Sequence, residues 1–359
     1  MVVVHVSTLK SGEKLINDVR TSLGNLLMAK TRKLSPRDVE ILQAFLIPSV
    51  DIEGDPNDPN IVGIEVIADE PLIQNDPIAS FREEYNELYS MMKESFASLV
   101  SGGNALKLLE LRSKQEKLLK SVNMYDPLSF VPPRTNDEDD WMHISIMVGL
   151  TGYHIARWML LPQMDTVSIA FAGLVHNIGN LQIQKSILNK TAPLTASEFE
   201  EYKKHTVYGF NLLKNVPSLN EGIKLSALQH HERMDGTGYP LGLKTEKIHL
   251  YAKVIAIADH FHSTTFTRQQ NRMASPFLEL ENMMKEAYWR YESSIVLTFA
   301  FNATGLRSGS MVKLNDGSLA EVMFVDRNKP TRPIVNVGGQ IIQLATDRER
   351  YIQEVVKRG

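Results

Sequence analysis

The sequence predicts a mainly α protein: an all-helical central domain flanked by a small N-terminal α+β module and a small β-rich C-terminal module. Three observations carry this expectation. Helical spacing of apolar residues continues from about 140 to 300, broken by loops such as "NKTAPLT" and "MDGTGYPLGLK". Near 305 the texture changes: "GSMVKLNDGSLAEVMFV" is two β-type runs around Asp316-Gly317, and "RPIVNVGGQIIQL" supplies more strand. Before about residue 52, short apolar runs alternate with turn signals such as Ser11-Gly12 and Gly24-Asn25.

Taken in chain order, residues 1–55 form the N-terminal module. Its "LSPRDVEILQAFLI" reads as a helix, with Ser35 as cap, Pro36 at the first helical position and Asp38 favouring the helix dipole. The acidic "DIEGDPNDPN" that follows is a linker by composition. Residues 56–130 are expected to be linker and helical spacer. Phe81, Tyr85, Leu88, Tyr89, Met92, Phe96 and Leu99 recur at three- and four-residue steps, which is one face of a helix ended by Gly102-Gly103. A second helix is expected over 104–121. Core packing is the plain use of this pair; a spacer, a dimer contact or a lid are the others. Residues 131–303 form the helical domain, and 304–359 the β-rich tail, closed by a short helix from Asp347.

At 359 residues the chain holds ample length for a core and for several units. A net charge of −3 gives no general footprint for polymeric nucleic acid or a membrane surface. There is no cysteine, which excludes a disulfide framework and a thiolate zinc site, so any metal must be held by His, Asp, Glu, Asn or carbonyl groups. The opening "MVVVHVSTLK" is too short an apolar run for a signal peptide. The longest apolar stretch, "ISIMVGLTGYHIARWMLL", is interrupted by His154 and Arg157, so no membrane span and a cytoplasmic location are expected.

Nine of the ten histidines lie between His143 and His262. One histidine on an apolar helix is more often a satisfied core residue than a ligand. Several, at helix-length separations with acidic neighbours, supply the imidazole nitrogen and carboxylate oxygen that bind iron, manganese or zinc without thiolates.

In order, the chain offers "DDWMHISIMV", "GLVHNIGNLQIQKSILNK", "EFEEYKKHTVYG", "LSALQHHERMDGTGYP" and "VIAIADHFHS". Over about residues 135–300 this resembles the HD-GYP subgroup of HD-superfamily phosphohydrolases, most specifically in "HHERMDGTGYPLGL". The resemblance implies an all-helical HD-type domain binding two, sometimes three, divalent ions, usually iron or manganese. It also implies the bacterial second messenger cyclic di-GMP as substrate. By position, His143, His176, Asn177 and Asp259 match a first metal site, and His205, His230 and His231 a second. Asp139 matches the acidic ligand of three-metal members; a solvated charge in "NDEDDW" is its other reading. The resemblance makes His176, Asn177 and Asp259 the catalytic centre. Lys190, Arg233, Asp235, Gly238, Tyr239, Pro240 and Arg268 become candidates for substrate contact, although each alone also fits a surface charge or a loop geometry.

Six of the seven expected ligand positions are filled. The seventh departs: where the family has the Asp of its His-Asp pair, this chain has Asn177. A carboxylate between two cations offsets their repulsion, whereas an amide offers one carbonyl oxygen and an NH₂ donor that no cation accepts. Asn180 stands where the family usually has a lysine, and His262 where it has a second Asp; His262 is itself a candidate replacement ligand. Two functions follow. One is a metal-dependent cyclic di-GMP phosphodiesterase weakened at Asn177. The other is a non-catalytic module that binds a nucleotide or docks proteins through its flanking modules, with a homodimer as one arrangement.

Overall fold

A computed structural model describes residues 2–6, 9–20, 26–44, 47, 49–53, 77–100, 106–133, 140–271 and 275–359. They fall into two compact units, one built on residues 1–74 and one on Asn75–Glu354. In the first, β1 (Val2–His5), β2 (Val19–Arg20), β3 (Leu26–Met28), α1 (Pro36–Ala44) and β4 (Ser49–Ile52) follow in order. β1 pairs antiparallel with β4, and β2 with β3. Val4, Leu15, Leu34, Leu42 and Ile52 make its core. Asp38 accepts from the Ser35 amide and hydroxyl, fixing the entry to α1. Residues 54–60 of the linker expectation lie outside the described residues.

The second unit opens with α2 (Pro77–Val100) and α3 (Leu106–Leu118), followed by a 3-10 turn over Leu119–Met124. Phe81, Tyr85, Leu88, Tyr89, Met92 and Phe96 are all buried, the face that their spacing predicts. At about 1.5–3 kcal/mol for each large apolar side chain taken from water, the pair is core, not a solvated spacer. α4 (Asp140–Trp158) and α5 (Gln163–Val175) form the centre. Their crossing is set by two glycines: a Cβ on Gly173 would lie 2.6 Å from Gly149 Cα. Gln115 ties α3 to this pair by donating to Ala170 O at 2.9 Å.

Next come a 3-10 turn (Ile178–Gln182), α6 (Lys185–Leu188), α7 (Ala196–Lys203), α8 (His205–Leu213) and α9 (Glu221–Gln229). Thr195 and Glu198 form a capping box at the start of α7, and Asn220 caps α9. α10 (Leu250–Asn271) packs on α4, α5 and α9. α11 (Pro276–Glu286) and α12 (Ser293–Thr304) complete the helical domain, and Gly305 ends it in the left-handed region.

The tail is an antiparallel sheet of β5 (Met311–Leu314), β6 (Leu319–Phe324), β7 (Ile334–Val337), β8 (Gln340–Gln343) and β9 (Ile352–Lys357), in the order β8-β7-β6-β5-β9. Asp316-Gly317 turns the first hairpin, with Gly317 at φ 85°. The terminal helix expected from Asp347 does not form. Asp347 spends its carboxylate on the amides of Glu349 and Arg350 and on the Arg350 side chain, closing a turn. The β-branched Ile352, Val355 and Val356 then run as β9 beside β5, with Ile352 fully buried. The sheet is clasped to α11 twice: Ser275 Oγ donates to Ile352 O at 2.7 Å, and Arg332 Nε meets Glu281 Oε2 at 2.7 Å. No helix among the described residues is long and apolar enough to cross a membrane.

Candidate metal centre

Three histidines point the same ring atom at a backbone carbonyl. His176 Nδ1 meets Gly173 O at 2.6 Å, His205 Nδ1 meets Tyr202 O at 2.7 Å, and His230 Nδ1 meets Ser226 O at 2.9 Å. A carbonyl only accepts, so each Nδ1 carries the proton and, in the neutral ring, each Nε2 holds a lone pair. This anchoring of one ring nitrogen is how proteins orient metal-binding imidazoles. Burial pulls the His205 pKa down to about 4 and those of His230 and His231 well below the usual value, so all three are neutral near pH 7.

The lone pairs converge. His205 Nε2 and His230 Nε2 face each other at 3.2 Å with no proton between them. One ligand nitrogen from each of His205, His230 and His231 lies within 4.8 Å of the others. His231 Nε2 is buried without a hydrogen-bond partner, and so is Asn177 Oδ1. Two atoms bound to one ion at about 2.1 Å each stand about 3–3.4 Å apart, which the His205–His230 separation matches. Repelling lone pairs and orphaned acceptors are what a cation relieves, so the donor set fits a divalent metal.

The second group is His176 with Asp259 on α10, Nε2 to Oδ1 at 3.3 Å, both buried. Burial works against the Asp259 charge, but the contact with His176 holds the carboxyl well below the ordinary carboxylate range. The two groups meet edge to face, with the His176 and His230 rings 4.8 Å apart. Gly179 makes this approach possible: a Cβ there would lie 1.9 Å from His205 O.

A loop closes over the cluster. The Tyr239 ring stacks on His231 at 4.7 Å and its amide donates to His231 O at 3.2 Å. Gly238 is packed so tightly that a Cβ would meet Glu232 Cα and the Arg233 amide at 2.4 Å. Glu232, buried, accepts from the amides of Leu241 and Leu243 at 2.7 and 2.8 Å and holds the loop down. Sequence reasoning passed over Glu232, although an acid directly after paired histidines in the most specific motif was the available signal.

A family profile described as HD domain matches residues 134–295. The chain is 32% identical over 199 residues to "Cyclic di-GMP phosphodiesterase PA4108" of Pseudomonas aeruginosa, covering 55% of this chain and 47% of that protein. It is 37% identical over 146 residues to "Cyclic di-GMP phosphodiesterase" of Thermotoga maritima, covering 39% of each. It is also 30% identical over 132 residues to "3'3'-cGAMP-specific phosphodiesterase 3" of Vibrio cholerae, covering 37% and 28%. The central domain belongs to the HD-GYP family. The matched stretches span about half or less of these relatives.

The HD-GYP domain places the other sequence candidates unevenly. His143 lies on α4, outside the three-imidazole cluster, with its ring parallel to Tyr89 at 4.0 Å and its Nδ1 3.1 Å from the Tyr85 hydroxyl. Lys190 is paired with Glu198 at 2.7 and 2.5 Å. Arg233 turns back onto the carbonyls of His230 and Glu232. Asp235 binds the Thr237 amide and hydroxyl, shaping the loop. Pro240 follows a cis peptide in the same loop. Arg268 is on α10, with its side chain outside the described residues, as is all of Asp139. His262 is no replacement ligand through Nε2, which meets the hydroxyls of Thr151 at 2.6 Å and Tyr125 at 3.1 Å.

Proposed function

We propose that the chain is a metal-dependent cyclic dinucleotide phosphodiesterase, with cyclic di-GMP as the first substrate to test, and that Asn177 keeps its turnover low. The convergence of His205, His230 and His231 lone pairs supports this reading most directly. His205, His230 and His231 hold one divalent ion, iron or manganese by the family's habit; His176, Asp259 and Asn177 are the donors for a second, with His143 beside them by family position. When bound, the ions supply acidity for a water nucleophile and positive charge for the phosphodiester. Asn177 presents one neutral oxygen where a bridging carboxylate would offer two charged ones, so the second ion is held weakly. Tyr239 covers His231 and keeps bulk water from that side of the cluster.

A second reading has its own observation: Lys190 is neutralised by Glu198 and Arg233 is spent on carbonyls, so two candidate phosphate contacts are engaged elsewhere. This favours a module that binds a nucleotide without hydrolysing it. Metal analysis with a cyclic di-GMP turnover assay, run anaerobically with Mn²⁺ and Fe²⁺, separates the two. Metal uptake with slow product formation is the expected result. Metal without product supports the binding module, and no metal overturns the phosphodiesterase reading.

A further inference from the structure

Behind the imidazole cluster lies a second, partly buried constellation that the chemistry above does not use. Glu279 on α11 is 2% exposed, and its Oε1 meets His260 Nε2 at 3.1 Å. A carboxylate accepts, so His260 Nε2 carries the proton and Nδ1 is free to accept from the Tyr291 hydroxyl, 3.0 Å away. The Tyr291 ring in turn lies 4.8 Å from the guanidinium carbon of Arg233. A phenol that donates to a carboxylate-backed imidazole has a more electron-rich ring, which strengthens its attraction for a cation on its face. Arg233 Nη1 then donates to His230 O at 3.1 Å and Glu232 O at 2.9 Å. Those two carbonyls bracket His231. The backbone adds a parallel tie, with the Met234 amide donating to Arg290 O at 3.2 Å.

We infer that Arg233 is a positioning residue for His230 and His231, held by the chain Glu279–His260–Tyr291, and not a substrate contact. The inference rests on the metal reading above and deepens it. The guanidinium lies on the Tyr291 ring and gives Nη1 to two carbonyls, while its Nε is buried without a partner, so it is turned onto the ligand turn and not extended towards a phosphate. What it can do is fix the His230–His231 and Glu232–Arg233 peptide units on either side of His231, so that the paired imidazoles converge before any ion arrives. Because α11 also carries Glu281, the partner of Arg332, the chain joins the C-terminal sheet to the ligand turn.

The test uses the full chain and three variants: Arg233→Lys, Tyr291→Phe, which keeps the ring and removes its hydroxyl, and Glu279→Gln. Co²⁺ binding is measured by calorimetry and by the visible spectrum of the bound ion, alongside kcat and KM for cyclic di-GMP. Arg233→Lys is expected to weaken Co²⁺ binding about 10-fold and to change the spectrum, as loss of an outer-shell support does. Tyr291→Phe and Glu279→Gln are expected to move both readouts the same way by less. Wild-type affinity and spectrum in all three variants, with a raised KM in Arg233→Lys, would make Arg233 a substrate contact and overturn the inference. If the unaltered protein takes up no Co²⁺, the metal reading fails by itself. The imidazole ¹⁵N resonances of the metal-free protein then decide: shifts at His230 and His231 in Arg233→Lys support the positioning role, and unchanged shifts reject it. Should Arg233→Lys not fold, Tyr291→Phe and Glu279→Gln carry the same comparison.

Discussion

His205 and His230 come from neighbouring helices and meet Nε2 to Nε2 at 3.2 Å, while His176 meets Asp259 at 3.3 Å with Asn177 as its chain neighbour. His176, His205 and His230 are anchored by the same carbonyl device and fully buried, so each group has at least one imidazole held in this way. They differ in charge. The first group is neutral and needs none, because three imidazoles can satisfy one ion; the second must share an ion's charge with a single carboxylate. The contrast teaches that geometry and electrostatics in a metal site are separable: on the reading proposed above, an amide keeps the fold of the second half while removing what would hold its ion.

Four substitutions or conditions sharpen the contrast. Removing a ligand from the intact half, as in His230→Ala, is expected to abolish binding of the first ion and all turnover, read by metal analysis; retained stoichiometric metal would locate the ion elsewhere. Asn177→Asp acts on the deficient half and is expected to split by condition. Without metal it buries an unpaired carboxylate and should lower unfolding free energy by about 3 kcal/mol, whereas with Mn²⁺ it should tighten the second ion and raise kcat. A stability loss unchanged by Mn²⁺ would show that Asn177 faces no ion.

Gly179→Ala attacks the place where the halves meet. Its methyl must displace His205 O, and overpacking of this kind costs about 1–3 kcal/mol, seen as a lower denaturant midpoint together with weaker metal binding. The smallest step, counted per imidazole, is in pH. His205 in the cluster and His154 outside it both have pKa values lowered by burial to about 4. Unfolded, each takes a proton near pH 6.5, so the unfolded state binds more protons below that value. Stability is then full above about pH 6.5 and falls as pH drops towards 4. Between pH 6.5 and 5.5 the metal-free protein should lose about 1 kcal/mol for each of the two. A melting temperature flat over that interval would contradict the burial described for both.

The sequence carried most of the helical domain because periodicity, caps and histidine spacing are local signals. The buried face of α2 and the Asp316-Gly317 hairpin are examples. It also led to His176, His205, His230, His231 and Asp259. What it could not carry depends on side-chain direction. Nothing in "HHERM" says that Arg233 folds back onto carbonyls, and nothing in "DHFH" says that His262 spends Nε2 on two hydroxyls while His260 reaches Glu279. The segment after Asp347, expected as a helix, is a strand because its β-branched run has a sheet edge to join.

The two clasps between α11 and the tail sheet also bear on how this protein can be handled. Cutting the chain after α12 would leave Glu281 without Arg332 and expose the apolar face beneath Ile352, so a trimmed helical fragment would be stickier and looser than the whole. The tail is better regarded as a fitted lid on the helical domain's workshop than as a detachable label, and purification schemes should retain it.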